Sequence, residues 1–202
     1  MSEVTICNQA LGWVGVDPIT SFDDPGKAAR LCKTNYAPIR DAVLSSALWT
    51  FATSRMSLPR AATAPVFGYA NAYLIPSTVL RIVTVNLLSI EDETSDWQVE
   101  SIGGKRHIVS NADSCKVKAI VRITDTTQFS ALFTQALAAR IAADFAIPLT
   151  TSRSLFETLM NSYIGKINIA SSTDGTQGKQ RKMKARWLNR SRQSTMGAGP
   201  FV

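Results

Sequence analysis

KVKAIVRITDTTQFSALFTQALAARIAADFAIP, from Lys116 to Pro148, decides the fold because the hydrophobic period changes inside it. Up to Thr124 the period is two: Val117, Ala119, Val121 and Ile123 fall on one face, and Lys116, Lys118 and Arg122 on the other. Alternation of this kind predicts a half-buried strand. From Thr127 the period becomes helical. Phe129, Phe133, Leu137 and Ile141 form a stripe, and Ala136, Ala138, Ala139, Ala142 and Ala143 let a neighbouring helix approach closely. Pro148 lacks an N–H and is the expected stop of a helix over 127–147. A strand feeding straight into an apolar helix predicts an α+β chain.

Further along, Thr150, Thr151 and Ser152 offer a cap for a fourth helix over 152–170, and the SSTDGTQG that follows reads as a linker. On the N-terminal side, strands are predicted at Val79–Leu88, Trp97–Ile102 and Arg106–Ser110, with Gly103-Gly104 as a tight hairpin turn. Pro59, Pro65, Gly68 and Pro76, interleaved with Phe67, Tyr69 and Tyr73, read as an extended connection. Two helices precede it. Ser2 caps the first, which carries Val4, Cys7, Leu11 and Val14 and ends at Asp17-Pro18. The second runs from about Gly26 to Leu48 with a stripe of Ala29, Cys32, Tyr36, Ile39, Val43 and Ala47, and Pro38 within it predicts a kink. The predicted architecture is mainly an α-helical bundle made from residues 1–58 and 125–172. A small antiparallel β-rich module at 59–124 is inserted into it, and a basic C-terminal arm follows at 173–202.

The chain has 202 residues, 45% of them hydrophobic, enough for a full core. Its charge is unevenly placed. Gly175 to Val202 holds seven basic residues (Lys179, Arg181, Lys182, Lys184, Arg186, Arg190 and Arg192) and no acid, out of 22 basic and 15 acidic residues in all. The formal charge of +7 therefore resides in the tail, on an electrically balanced body. Charge of this kind bears on partners rather than on fold. Cys7, Cys32 and Cys115 are odd in number and far apart, which predicts buried free thiols in a reducing compartment. No basic region precedes an apolar run at the N-terminus, so no secretory signal is expected, and Ala131–Leu149 is too interrupted by polar residues to suggest a membrane span.

Catalytic constellations are missing. His107 is the single histidine, which excludes multi-histidine metal sites, and a dyad with Cys115 has nothing to mark it. There is no nucleophile elbow, phosphate loop or dinucleotide fingerprint. Glu91, Asp92, Glu93, Asp96 and Glu100 could hold a carboxylate pair for glycoside hydrolysis, but a solvated acidic turn beside a sheet edge explains them better. The chain reads as a non-enzyme needing no cofactor and no metal. In the tail, Met183, Trp187 and Leu188 lie among the basic residues, with Met183 and Trp187 on one helical face. Such a segment suits nucleic-acid phosphates with Trp187 stacking on a base, a membrane surface, or an acidic protein surface with Trp187 as the buried anchor.

In order and spacing, the chain resembles the tail tubular protein A group of short-tailed bacteriophages, the adaptors between portal and tail nozzle. The likeness begins with Asn8, Leu11, Gly15 and Pro18-Ile19, then Cys32, Tyr36 and Arg40. It continues through Trp49-x-Phe51-Ala52, Leu58, Gly68-Tyr69-x-x-Ala72-Tyr73-x-x-Pro76 and Leu80-Arg81-Ile82. It ends with Phe129-x-x-x-Phe133-x-x-Ala136-Leu137-Ala138, Thr150, and Trp187 followed by arginine. Thr78 departs from it, since members often have an acid there. The resemblance implies a homo-oligomeric, dodecameric ring at the virion head–tail junction, made in the host cytoplasm. Its partners would be the portal protein, the nozzle protein and the genomic double-stranded DNA passing through, with no membrane. It also implies a helical bundle with a β domain and a C-terminal arm reaching toward the portal, here Lys179 to Arg192. The alternative is a nucleic-acid-binding protein that uses the same basic tail.

Overall fold

A computed structural model describes residues 1–89 and 96–176. Helix α1 (Glu3–Val14) starts where the Ser2 hydroxyl accepts the Thr5 N–H at 3.1 Å. It closes at Gly15, whose φ of 80° is a left-handed conformation natural to glycine. The Asn8 amide then bonds Ile19 twice: Nδ2 donates to the Ile19 carbonyl at 2.8 Å, and Oδ1 accepts the Ile19 N–H at 2.9 Å. One side chain thereby folds the Pro18-Ile19 turn back onto α1. Helix α2 (Lys27–Ser46) continues through Pro38 and buries Ala29, Cys32, Tyr36, Ile39 and Val43, the stripe read from the sequence.

Helix α3 (Ala131–Thr150) is the hub, and each of the other helices packs on it. Ser130 caps it by accepting the Phe133 N–H. A single 3-10 turn at Thr126–Gln128 occupies what the periodicity assigned to its first turn. Pro148 does not end it. The proline forfeits one hydrogen bond in the last turn, and the helix runs on to Thr150 before Thr151, at φ 58°, closes it. Its length and apolarity would suffice to cross a membrane, but most of it is buried in the core. Helix α4 (Arg153–Thr176) lies along α3 and extends through the SSTDG stretch expected to be a linker.

Among the described residues, six strands form two antiparallel sheets of three. Sheet A has the order β1 (Thr53–Leu58), β6 (Cys115–Val121), β3 (Val79–Val85). Sheet B has the order β2 (Asn71–Leu74), β5 (Lys105–Ser110), β4 (Trp97–Ile102). Sheet A is a middle layer. Val117 and Ala119 of β6 point toward sheet B, into a core with Leu58, Tyr73, Trp97 and Ile108. Ile120, one residue out of phase, enters the helical core with Leu44, Trp49, Phe133 and Leu137. Alternation thus serves two cores, and Ile123, expected on the Val117 face, packs against the helical core beyond the end of β6.

The expected helical bundle with a small β insert is therefore incorrect. The protein is α+β, with four helices and two three-stranded sheets among the described residues, and the helices close their core by packing on sheet A. Two strands escaped the sequence reading. β2 is buried at Asn71, Ala72 and Tyr73, so it shows no alternation. β1 (TSRMSL) is short and mostly polar, and its place is set by pairing with β6, from Thr53↔Ile120 to Leu58↔Cys115.

All three cysteines are free and buried. The hydrogen bond to Cys32, together with burial, drives the Cys7 thiol far above its ordinary range, and burial pushes Cys115 up to about 11. Thiolate is the reactive form; the bond with Cys7 lowers the Cys32 thiol, so it is full burial that keeps reagents from all three sulfurs. Alkylating or aromatic disulfide reagents are expected to leave the native protein unmodified at neutral pH and to modify three thiols per chain in urea, read by intact mass. Fast labelling of the native protein would contradict this packing.

Candidate docking surfaces

Among the described residues that carry the family resemblance, the large apolar ones pack in or against the two cores, while Gly15, Pro18, Gly68, Pro76 and Arg81 are exposed. Trp49, fully buried, donates from Nε1 to the Val43 carbonyl at 3.1 Å and meets Phe133 edge-on at 5.0 Å between centroids. Phe51 and Phe129 meet the same Phe133 ring at 5.1 and 4.9 Å. Four aromatics thus bolt the turn between α2 and β1 to the start of α3. Tyr73 belongs to the core between the sheets, and its hydroxyl donates to the Ala112 carbonyl. Tyr69 is half-buried, and the exposed Pro76 offers its carbonyl to the Val79 N–H at 3.0 Å, turning the chain into β3. These are folding residues and do not converge on one site.

The predicted docking arm, Lys179, Arg181, Lys182, Met183, Lys184, Arg186, Trp187, Leu188, Arg190 and Arg192, lies outside the described residues. Its root is described. Asp174, 4% exposed, accepts the Thr50 N–H at 2.6 Å and the Thr50 hydroxyl at 2.8 Å. The last turns of α4 are thereby fixed beside Trp49 and Phe51. Nothing local in the sequence marks this contact, because Ser, Thr, Asp and Gly together signal a loop unless a tertiary partner is known.

An ion network joins α1, α2 and sheet A. Arg40, 5% exposed, reaches Asp41 Oδ1 at 2.9 Å and Glu3 at 3.8 Å, while Arg122 at the end of β6 reaches Asp41 Oδ2 at 2.6 Å. Each buried charge has a partner, as the cost of desolvation demands. Burial foremost, with the nearby Glu3 charge, pushes the neighbouring Tyr36 hydroxyl well above its ordinary range.

Among the described residues, those weighed for chemistry do not come together. His107 Nδ1 lies 2.9 Å from the Lys105 carbonyl, and Cys115 is packed in the core between the sheets. Asp96 accepts from Asn111 Nδ2 at 2.8 Å, Glu100 is exposed on β4, and Glu91, Asp92 and Glu93 lie outside the described residues. Among the described residues no group of three His, Cys, Asp or Glu could hold a metal ion.

The surface has two features the sequence reading passed over. Val66 and Phe67 are 98% and 87% exposed, on a segment that shares a shallow groove with Glu100–Gly103. Arg55, Lys116 and Lys118 lie close together on sheet A, a cluster hidden by the net neutrality of the body. The alternating lysines of β6 were its visible half. Its other half is on β1, which was not recognised as a strand. Comparison of the chain with protein-family models and with curated proteins finds no match.

Proposed function

We propose that this protein is a structural adaptor, a subunit of a ring between a phage portal and its tail nozzle, around the path of the genomic DNA. The observation that carries this reading is the anchored root of the arm. Asp174 holds the end of α4 on Thr50, so a segment with seven cations and one tryptophan departs from a fixed point on a packed body. A charged arm with an aromatic anchor suits docking on an acidic surface of a second protein, where charge steers approach and Trp187 is buried. Repetition around a ring multiplies a weak contact through avidity. The resembling residues support a scaffold role, because Asn8, Trp49, Phe51, Tyr73 and Phe133 all tie elements together. The same cations favour a second reading, a nucleic-acid-binding protein that acts through the arm.

Mass photometry of the full chain with and without portal tests the first reading. The expected result is a free subunit alone and a closed ring of subunits on the portal. A chain ended after Asp174 should keep its circular dichroism spectrum and lose portal binding. Undiminished portal binding by that folded chain would overturn the docking role of the arm.

A further inference from the structure

We infer that the part of sheet A left uncovered by the helices is a contact surface for the sugar–phosphate backbone of duplex DNA. Val117 and Ala119 face the core between the sheets, so Lys116 and Lys118 project from the opposite side. The antiparallel register places Arg55 directly opposite Lys118 and Ser57 opposite Lys116. On the other flank of β6, Thr84 pairs with Lys118, and the Asn86 side chain accepts the Lys116 N–H at 2.9 Å. Two rows result, Arg55–Lys118–Thr84 and Ser57–Lys116–Asn86. With strands about 4.8 Å apart and about 7 Å between alternate residues of a strand, the three cations sit within roughly 10 Å of one another.

Like charges directly opposite across two strands destabilise a sheet. Among the described residues no carboxylate pairs with Arg55, Lys116 or Lys118. The next cations toward the helices are occupied, Arg81 by the Ser45 carbonyl and Arg122 by Asp41. An external polyanion would relieve the repulsion.

The chemistry of the two rows selects which polyanion. They offer guanidinium, ammonium and hydroxyl donors, with the Asn86 amide already bonded to Ser114 and Lys116, and they hold no carboxylate and no aromatic or large aliphatic side chain; the exposed Leu87 lies in the turn beyond β3. A protein partner anchors on buried aromatic or aliphatic groups, and single-stranded nucleic acid needs aromatic platforms for its bases. A duplex backbone needs only cations and neutral donors, and contacts of that kind carry no sequence information. The surface is separate from the arm and would act whether or not the subunits form a ring.

Fluorescence anisotropy of the full-length protein on a labelled random-sequence duplex, titrated with salt, tests the proposal. The triple variant Arg55→Gln, Lys116→Gln, Lys118→Gln should lower low-salt affinity about tenfold or more. It should also flatten the plot of log K against log salt by about 2.7, the share of three phosphate contacts. The same flattening is expected when the seven arm cations are replaced by glutamine, which separates this surface from the arm. Arg55→Glu sets opposite charges across β1 and β6, so it should raise the melting temperature while weakening DNA binding. A triple variant that binds with unchanged slope, a duplex affinity no better than that for the single strand, or an Arg55→Glu protein that melts below the wild type overturns the proposal.

Discussion

Replacing Phe133 with alanine is expected to cost about 3–5 kcal/mol of folding free energy, as removal of a fully buried phenyl ring does. The ring is fully buried and touches Trp49, Phe51 and Phe129, three of the aromatics that join the α2–β1 turn to α3. Its loss removes apolar burial and three edge-on or tilted ring contacts at once, and the remaining rings are held by their own backbones and cannot collapse into the space. A total stability of about 5–15 kcal/mol makes this a large fraction. Urea unfolding followed by tryptophan fluorescence reads the change. Phe129→Ala is the internal comparison: that ring is only partly buried, so its loss should cost clearly less. A Phe133→Ala protein within about 1 kcal/mol of wild type would show that the cluster does not hold these elements together.

Asp174→Ala is expected to lower stability by about 2–3 kcal/mol, through two lost hydrogen bonds to a carboxylate and the unpaired donors left on Thr50. An acid near the C-terminal end of a helix opposes the macrodipole, by up to about 1 kcal/mol. Its presence there makes sense only if the tertiary bonds outweigh that penalty. Hydrogen exchange gives the local test. The Thr50 amide should be protected in the wild type and exchange rapidly in the variant, with the α3 core unchanged. If the arm works from a fixed root, portal affinity should fall even though every arm residue remains. Asp174→Asn keeps one acceptor oxygen and should lie between the two. A Thr50 amide protected equally in all three proteins would refute the anchor.

What was legible in the sequence follows from where each signal resides. Helices α1 and α2 were found with their stripes, and α1 with its Ser2 cap, because that cap and the Cys32–Tyr36–Ile39–Val43 spacing are local properties; α1 ends at Gly15, ahead of the expected Asp17-Pro18 stop. Strands β3 to β6 carry alternation or a Gly-Gly turn and were placed to within a few residues, with β3 shorter than expected because Asn86 and Leu87 turn the chain. Signals that depend on a distant partner were lost. β1 is a strand because β6 lies beside it, and α4 extends past Ala170 because Asp174 finds Thr50. Those omissions turned a three-layer protein into an apparent bundle with a small insert. The candidate surfaces divide in the same way. The arm is legible as composition, but the cluster of Arg55 with Lys118 joins residues far apart in sequence and needs the strand register to be seen.

The position of α3 as the hub has a consequence for how the protein is made. Its residues, 131–150, leave the ribosome after those of α1, α2 and β1 to β5, and β6, the central strand of sheet A, comes only just before them. Until then the stripes of α1 and α2 have no apolar surface to cover them, and β1 and β3 have no partner strand between them. Nascent chains therefore carry exposed Leu11, Val43 and Trp49 and open strand edges until α3 is made, and contacts of such high sequence separation form slowly. Yield in cells should depend on chaperones that shield the segment ahead of α3, and slowing translation before residue 131 should favour aggregation over folding.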